Sequence, residues 1–454
     1  MKKYPTYKKS EVIWVKELPE SWDELRVKYF SVYRNGNSFK STDFYADEKY
    51  PVIRIGDLQD GMINLEGATR VSSNVYEEAK KFINKRGDIL LALTGATIGK
   101  SAIYKTDEIS LLNQRVAALR PNKKANIDFL KYLIEAPEFR TLIDFECYGG
   151  AQENIGKGQI TAAKFPIPSL PEQNSIVHFL DHKTGQIDRF IANRQRQIEL
   201  LREQKTGIIN QTVTKGIDSM VILKDSGDIR LGKVPIRWEV MELKFAARMM
   251  RGKFSHRPRN DERLYGGEYP FIQTGDVTKT EKYITTYHQT LNEWGYSVSK
   301  MFPKGTVVIT IAANIGDVAI LDIDACFPDS VVGFFSKKNL TEYLFYLLKS
   351  MKEVFICESI EGTQLNLSVD RLSSIKVAMP DPKEQKKIVD FIVNETSTID
   401  TLISKYHKQI NLMQEYRTSL ISQAVTGKID VRGWQPKNRK LSMEQLPVAV
   451  TSEN

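Results

Sequence analysis

Two clusters of basic and amide side chains have the residue types that contact nucleic acids. The first lies in RNGNSFK, from Arg34 to Lys40, and the second begins at Arg251, in RGKFSHRPR. Arginine and lysine suit phosphates and guanine edges, whereas asparagine and glutamine suit adenine. Any one such side chain is more often a solvated surface residue than a base contact. Because the clusters occupy equivalent places in a repeated sequence, together they indicate DNA binding.

The candidate DNA contacts are distributed over both halves of the chain. Those in the first half are Arg34, Asn35, Asn37, Lys40, Arg54, Gln152 and Asn154. Those in the second half are Arg251, Lys253, His256, Arg257, Arg259, Gln273, Gln364 and Asn366.

Motifs for catalysis are weak. The segment TGATIGKS, beginning at Thr94, is similar to a phosphate-binding loop. It has one residue too few between Gly95 and Gly99, and the second half of the chain has Asp317 where the lysine stands. We therefore favour a glycine-rich turn between strands, and a nucleotide-binding enzyme using Gly95–Ser101 is a remote alternative.

A metal site is also disfavoured. His178 and His182 lie four residues apart on a predicted helix, a spacing that holds zinc when a third ligand converges. The equivalent residues of the second half are Asp390 and Asn394, so an exposed polar face is the better interpretation. We expect no metal and no catalytic group in this chain.

Composition indicates an ordinary multidomain protein of the cytoplasm. The 454 residues suit two to four domains, and 65 basic against 56 acidic residues give a net charge of +9. A modest excess of this kind is compatible with a polyanionic partner but is weak evidence for one. Cys147, Cys326 and Cys357 have no metal or disulfide spacing, and we expect neither an export signal nor a membrane span.

A long helix is predicted from Glu172 to about Val213, and it occurs twice. Pro168, Glu172-Gln173 and Ile187-Asp188 recur as Pro380, Glu384-Gln385 and Ile399-Asp400. Apolar residues at heptad spacing form a seam on each copy. The seam residues are Val177, Leu180, Ile187, Ile191, Ile198, Leu201 and Ile208 in the first copy, and Val389, Ile392, Ile399, Ile403, Ile410, Met413 and Leu420 in the second. The two helices most simply bury their seams against each other, and a dimer through helices of two chains is the alternative.

The repeat extends beyond the helices and divides the chain into two similar halves. LPESW returns as VPIRW, YPVIRIGDL as YPFIQTGDV, and RGDILLALTGATIGKSAI as KGTVVITIAANIGDVAI. Each half combines short β-branched runs with helical spacing, which predicts a mixed α/β domain before each long helix. The predicted segments are a domain over 1–167, a helical region over 168–218, a domain over 219–379, a helical region over 380–430 and a polar tail over 431–454.

These segments resemble the specificity subunits of type I restriction-modification systems. The resemblance is carried by the helix entries PIPSLPEQNSI and AMPDPKEQKKI, by the helix ends LLREQKTGIINQTVTKGID and LMQEYRTSLISQAVTGKID, and by LPESW. It implies an α+β fold in which two similar target recognition domains are separated by two long helices. It further implies that the helices pack as an antiparallel coiled coil with an internal pseudo-two-fold repeat.

The resemblance also implies a function without catalysis by this chain. In that family each domain reads one half of a split sequence in double-stranded DNA. The helices set the unread spacer and dock two methyltransferase subunits, and the assembly recruits restriction subunits. S-adenosylmethionine, ATP and Mg belong to those partners, so no cofactor is expected here. The alternatives are a DNA reader or a helical scaffold that serves another defence system.

Overall fold

The computed structural model describes residues 2–12, 14–59, 61–147, 154–359 and 366–436. The chain forms two compact units, Met1–Arg194 with Lys408–Asn454, and Gln195–His407. The unit boundary falls inside both long helices. Each unit therefore contains one globular domain together with half of each long helix.

The first unit consists of short strands and helices that precede one long helix. In chain order these elements are β1 (Tyr7–Lys9), β2 (Glu17–Pro19), β3 (Asp23–Arg26), α1 (Val27–Phe30), β4 (Ser31–Asn35), β5 (Tyr50–Ile53), β6 (Leu58–Gln59), β7 (Met62–Ile63), β8 (Arg70–Val71), α2 (Ser73–Ala79), β9 (Ile89–Ala92), β10 (Ser101–Ile103), β11 (Leu111–Leu112), β12 (Val116–Pro121), α3 (Ile127–Glu135), α4 (Pro137–Cys147), α5 (Lys157–Ala162), β13 (Lys164–Ile167) and α6 (Leu170–Lys215).

Two sheets form the domain of the first unit. The larger has the order β10-β9-β12-β4 with antiparallel neighbours, and the smaller has the order β11-β5-β8, in which β11 and β5 are parallel. The β-branched and leucine residues of β9 and β12 are buried from both faces, which explains their nearly continuous apolar sequences. The parallel pairing brings the ends of β5 and β11 to the same place.

The second unit repeats this arrangement. Its elements are β14 (Leu223–Asp225), β15 (Lys233–Pro235), β16 (Glu239–Glu242), α7 (Leu243–Ala246), β17 (Arg248–Arg251), β18 (Tyr265–Phe271), α8 (Thr274–Lys279), β19 (Tyr283–Ile284), β20 (Gln289–Leu291), α9 (Glu293–Ser297), β21 (Met301–Phe302), β22 (Val307–Thr310), β23 (Val318–Leu321), β24 (Ala325–Cys326), β25 (Val331–Phe335), α10 (Thr341–Ser350), α11 (Lys352–Cys357), α12 (Val369–Ser374), β26 (Lys376–Met379) and α13 (Pro382–Val425).

The sheets of the second unit match those of the first strand by strand. The order β17-β25-β22-β23 corresponds to β4-β12-β9-β10, with β19 added at the edge, and β18 pairs in parallel with β24 as β5 does with β11. The predicted mixture of helices and strands is confirmed. Helices α3 and α4 are separated at Ala136 because Pro137 cannot continue the hydrogen-bond ladder.

A buried glutamine fastens each long helix to the domain that precedes it. Gln173 accepts a hydrogen bond from the Asn126 backbone N–H at 2.7 Å and donates to the carbonyls of Lys124 and Pro168. Gln385 does the same, accepting from the Leu340 N–H at 2.9 Å and donating to the Asn339 side chain and the Pro380 carbonyl. Both glutamines are fully buried, so these bonds fix the helix start.

A tryptophan and a glutamate form a second contact beside each glutamine. The Trp22 indole N–H donates to Glu172 at 3.0 Å, and Trp238 donates to Glu384 at the same distance. Glu172 also accepts from the Tyr4 hydroxyl, and burial together with this carboxylate raises the pKa of Tyr4. Trp22 of LPESW and Trp238 of VPIRW thus each hold their own domain against the start of a long helix.

Within each unit the two long helices run in opposite directions. In the first unit Glu172 lies 3.9 Å from Arg432, and Asp188, further along α6, lies 3.4 Å from Arg417. In the second unit Lys205 lies 2.6 Å from Asp400. All of the predicted seam residues are buried or half-buried on these helices. No helix in the described ranges is long and apolar enough to cross a membrane.

The start of the segment predicted as a polar tail is packed onto the first unit. Val431 is buried, and the Trp434 ring lies 5.1 Å from Phe179, centroid to centroid. The same indole contacts His178 and His182 on the outer face of α6. Val431 and Trp434 thus give the start of this otherwise polar segment an apolar contact with the first unit.

Replacing Gln385 with leucine should destabilise the protein. The substitution leaves the Leu340 N–H and the Pro380 carbonyl buried without partners, at ~1–3 kcal/mol for each unsatisfied group. We expect a lower midpoint in guanidinium denaturation followed by tryptophan fluorescence. Gln414→Leu, at an exposed position of the same helix, is the matched control. Equal midpoints for the two variants would contradict the anchoring role of Gln385.

Candidate nucleic-acid interface

Polar side chains of the first unit converge where several strands end. Arg54 follows β5 and Asn113 follows the parallel strand β11, and the Asn113 N–H donates to the Ile53 carbonyl at 3.1 Å. Asn37, just beyond β4, forms a bridge with Asn113 and accepts a backbone hydrogen bond from Gln114 at 2.8 Å. The strand ends therefore gather side chains that are far apart in the sequence.

A glycine permits the close approach of these loops. An added Cβ at Gly36 would lie 2.0 Å from the Asn113 carbonyl oxygen, far inside contact distance. Gly252 occupies the same place in the second unit, where a Cβ would lie 2.2 Å from the Pro328 carbonyl oxygen. In both halves a larger residue would force the strand end away from the loop that precedes β12 or β25.

Asn154 lies on the same side of the first unit. It bridges to Thr94 after β9, and the neighbouring Leu93 N–H donates to the Arg115 carbonyl at 3.0 Å. We define the first strand-end cluster by its exposed or half-exposed polar residues. They are Asn35, Asn37, Arg54, Asn113, Gln114, Arg115 and Asn154.

Arg34 is placed differently from its neighbours. Its guanidinium donates to the carbonyls of Ile83 and Lys81 at 2.8 and 2.6 Å, and it lies 3.6 Å from the Asp88 carboxylate. Burial, and then repulsion from Arg120, lower the pKa of Arg34. Its donors bond within the domain, so the structure gives Arg34 a structural role and does not place it in the first strand-end cluster.

The other candidates of the first half are partly accounted for. Arg54 lies over the Phe44 ring, 5.5 Å from its centroid, and its backbone N–H donates to Asp57 at 2.8 Å. The exposed Lys40 precedes the short turn that contains Phe44. Gln152 lies outside the described residues, as does Gln364 in the second half.

Arginines dominate the equivalent end of the second unit. Asp329, in the loop before β25, forms an ion pair with Arg259 and lies 3.6 Å from Arg257, while its carbonyl accepts from Arg251 at 2.6 Å. Lys253 is exposed beside them and is fixed by a backbone bond to the Phe327 carbonyl. Asp329 thus positions three arginines, Arg257 and Arg259 through its carboxylate and Arg251 through its backbone carbonyl.

A cleft of about 420 Å³ lies next to this arginine group. Phe254, Tyr265 and Phe271 form an aromatic wall, and Arg259, Gln273 and Gln289 supply polar groups. The Gln273 amide donates to the Gln289 side-chain oxygen, which holds the two amides together at the mouth. We define the second strand-end cluster as Arg251, Lys253, Arg259, Gln273, Gln289 and Asn366.

His256 lies at the edge of this region. Its Nε2 is 3.1 Å from Asp261, and hydrogen bonds from Arg263 and then from His256 hold the pKa of that carboxyl well below its usual range. The His256 ring packs edge-on to Trp294 at 5.7 Å. The Arg257 guanidinium donates hydrogen bonds to the backbone carbonyls of Phe254 and His256. The two candidates His256 and Arg257 therefore stabilise the loop that carries Arg259.

The glycine-rich sequence TGATIGKS forms a turn between neighbouring antiparallel strands. The Gly99 N–H donates to the Ala92 carbonyl at 3.0 Å, and no helix follows the turn. It therefore lacks the helix N-terminus that holds a phosphate in a nucleotide-binding loop. Gly95 has a φ of 67°, and the equivalent Ala313 keeps a φ of 63° despite its side chain. Ala312 beside it bridges to Asn366.

Four polar residues of these clusters are not among the candidates predicted from the sequence. Asn113, Gln114 and Arg115 precede β12, and Gln289 begins β20. Each lies far in the sequence from the basic segments that begin at Arg34 and Arg251. The parallel pairing of β5 with β11 places Asn113, Gln114 and Arg115 in the first cluster, and the contact with Gln273 places Gln289 in the second. The sequence predicted neither the pairing nor the contact.

The arrangement favours contact with base edges and phosphates. Amides and guanidinium groups at loop ends can form paired hydrogen bonds to adenine and guanine, and free lysines suit phosphates. No group of three or more side chains that could hold a metal occurs in the described parts of the chain. The chemistry available at both clusters is therefore recognition.

Comparison with known proteins decides the family. The family model described as the type I restriction modification DNA specificity domain matches residues 19–200 and again residues 235–412. The chain belongs to this family. The two matches coincide with the two halves of the repeat, each with one domain and most of its long helix.

Curated relatives extend over nearly the whole specificity subunit. The putative type I restriction enzyme MjaX specificity subunit of Methanocaldococcus jannaschii is 27% identical over 446 residues, which cover 95% of this chain and 98% of the relative. The EcoKI specificity subunit of Escherichia coli is 20% identical over 453 residues, covering 94% and 92%.

A solved structure supports the fold. A chain from a study of complex assembly and conformational transition in the type I restriction-modification system matches with a TM-score of 0.67 at 14% identity. The match covers 91% of this specificity subunit and 99% of that chain. At this identity the likeness supports the fold alone, and the strand-end clusters rest on the geometry described above.

Replacing Gly252 with alanine should distort the second strand-end cluster. The Cβ would lie 2.2 Å from the Pro328 carbonyl oxygen, so we expect a loss of stability of ~1–3 kcal/mol, measured by denaturation. Gly275→Ala is the matched control because nothing lies near its Cβ position and it sits in helix α8, where alanine is favoured. Unchanged stability for Gly252→Ala would show that this loop contact is adjustable.

Proposed function

We propose that this specificity subunit reads a bipartite DNA target, with one half-site for each domain. The observation that carries the proposal is the recurrence of the strand-end cluster. The two clusters lie on equivalent strand ends, yet they present different side chains. A repeated scaffold with unlike contact residues suits a target whose two halves differ in sequence.

The first strand-end cluster is rich in amides. Asn37, Asn113 and Gln114 can pair with the N6 and N7 groups of adenine in the major groove. Arg54 and Arg115 add guanidinium groups that suit guanine edges or phosphates. This composition favours a first half-site that contains adenine.

The second strand-end cluster combines guanidinium groups with two amides. Arg259 is oriented by Asp329, which supports the fixed geometry that bidentate pairing with guanine requires. Gln273 and Gln289 can present a joint donor and acceptor pattern to an adenine. Each good bidentate pair contributes about 1–3 kcal/mol of discrimination against the wrong base.

The long helices set the unread spacer in this proposal. Helix α6 has 46 residues and helix α13 has 44, so at about 1.5 Å per residue they extend about 69 and 66 Å. Such a length covers at most about 20 base pairs at roughly 3.4 Å each. Their buried seams support antiparallel coiled-coil packing along the pair.

The subunit acts without catalysis of its own in this assignment. Two methyltransferase subunits dock on it and methylate adenine with S-adenosylmethionine, and restriction subunits use ATP and Mg. The complex works on double-stranded DNA in the cytoplasm. This chain then contributes sequence recognition and assembly.

Mapping of methylated adenine at base resolution tests the proposal. Cells that express this chain with its neighbouring methyltransferase should show a split motif that is missing when the methyltransferase is expressed alone. Exchange of residues 25–167 for those of a relative should change one half of the motif. A stable complex that methylates no split motif would contradict the reader function and favour a scaffold role.

Single substitutions should act on one half-site at a time. Gln289→Ala and Arg259→Ala should relax the second half of the motif by roughly 5- to 150-fold for the affected base, from the loss of a bidentate pair. Gln114→Ala and Arg115→Ala are the reciprocal controls and should relax the first half. Methylation of sites varied at each position measures both effects. Equal effects on both halves would contradict the assignment of one cluster to each half-site.

A further inference from the structure

An exposed aromatic ring beside a lysine occurs at equivalent positions of both units. Tyr29 on α1 is 52% exposed and Phe245 on α7 is 71% exposed. The Lys28 ammonium lies 5.1 Å from the Tyr29 ring centroid, and Lys244 lies 5.0 Å from that of Phe245. A single exposed aromatic needs no explanation, but its recurrence in both halves of a diverged repeat does.

Two further lysines accompany each ring. Lys123 and Lys124 precede helix α3, and Lys337 and Lys338 precede helix α10 at the same distance. The Lys124 carbonyl accepts from the buried Gln173, so this pair sits at the start of the long helix. We define the aromatic–lysine patch as Lys28, Tyr29, Lys123 and Lys124 in the first unit and as Lys244, Phe245, Lys337 and Lys338 in the second.

The second copy of the patch borders a groove of about 1070 Å³. Met249, Met301 and Phe335 contribute its apolar lining, and Arg248 and Lys300 add positive charge. No acidic residue lines the groove among the residues described, although Glu242 lies 2.5 Å from Lys244 outside it. Unbranched methionines adapt to an inserted apolar side chain. The groove suits a segment that is both acidic and apolar.

The patch lies at the opposite end of the strands from the strand-end cluster. In the antiparallel pair β17–β25, Arg251 opposite Val332 marks the end at the cluster, and Arg248 opposite Phe335 marks the end at the patch. In the first unit Asn35 opposite Ala117 and Pro121 opposite Ser31 mark the same two ends. DNA bound at the cluster therefore leaves the patch available.

We propose that the aromatic–lysine patch docks an acidic, apolar segment of the methyltransferase subunit, one copy on each unit. The inference rests on the proposed function and adds a surface on each domain to the long helices, which the resemblance implies as the docking site. Recurrence of the patch in both units fits a partner present in two identical copies. The lysines supply charge complementarity, and the exposed ring supplies an anchor of the kind that dominates protein interfaces.

A DNA backbone is the other polyanion that the lysines could bind. A large exposed ring and a methionine-lined groove contribute little to phosphate contact, which needs donors alone. Their position at the far end of the strands from the base-contact residues also favours a protein partner.

The test measures how many methyltransferase subunits bind the full-length chain, by native mass spectrometry and by titration. Phe245→Asp and Tyr29→Asp each place a carboxylate at the centre of one patch. Each variant should bind one partner where the unaltered chain binds two, with at least a tenfold weaker affinity for the second copy. The double variant should bind none. Tyr45→Asp and Tyr287→Asp, at exposed tyrosines outside the patch, are the matched controls and should still bind two.

Each other outcome has a defined meaning. Two partners bound at unchanged affinity by the Phe245→Asp and Tyr29→Asp chains would overturn the docking surface while leaving DNA reading intact. Weaker DNA binding with unchanged partner binding would identify a phosphate contact and would also overturn it. An unaltered chain that binds no methyltransferase would overturn the partner assignment of the proposed function, and the docking surface with it.

Discussion

The buried Glu-Gln pair at the start of each long helix is the interaction on which the other contacts depend. Gln173 and Gln385 each fill a position where backbone groups of two loops would otherwise be unpaired, and the adjacent glutamate receives the indole of Trp22 or Trp238. These polar contacts have a defined geometry, unlike apolar packing, so they fix the direction in which the helix leaves its domain.

The same scaffold can carry different side chains in its strand-end cluster because the anchor and the cluster lie at different ends of the sheet. Gly36 and Gly252 preserve the close approach of the loops in both units, while the side chains around them have changed. Arg54 is replaced by Gln273, and the amide loop that contains Gln114 is replaced by the loop of Asp329. Substitution at the strand ends therefore leaves the core and the helix anchor unaltered, which allows each domain to diverge alone.

Much of the fold was predictable from the sequence, because the helix seam and the repeat are local and periodic signals. The heptad pattern predicted helices that the structure extends by two residues at each end in Leu170–Lys215 and by two residues at the N-terminus in Pro382–Val425. The candidate site was less predictable. Arg34 has the right side chain for DNA, but its guanidinium bonds to the carbonyls of Ile83 and Lys81. Asn113 and Gln289 could be recognised only because the folded chain places them beside the other residues of the two clusters.

Two cations, Lys205 and Arg417, follow the seam residues Ile198 and Ile410 at heptad spacing and show how the helices gain a defined register within each unit. Desolvation lowers the pKa of Lys205, but hydrogen bonds to Asp400 and Glu281 outweigh it, so the pKa is raised and the ammonium stays charged. Arg417 meets Asp188, the repeat equivalent of Asp400. A shift by one heptad would leave each cation against apolar seam residues without its carboxylate, and a half-buried unpaired charge is strongly unfavourable. An apolar seam alone would tolerate such a shift, so these ion pairs favour one register of the helices within each unit.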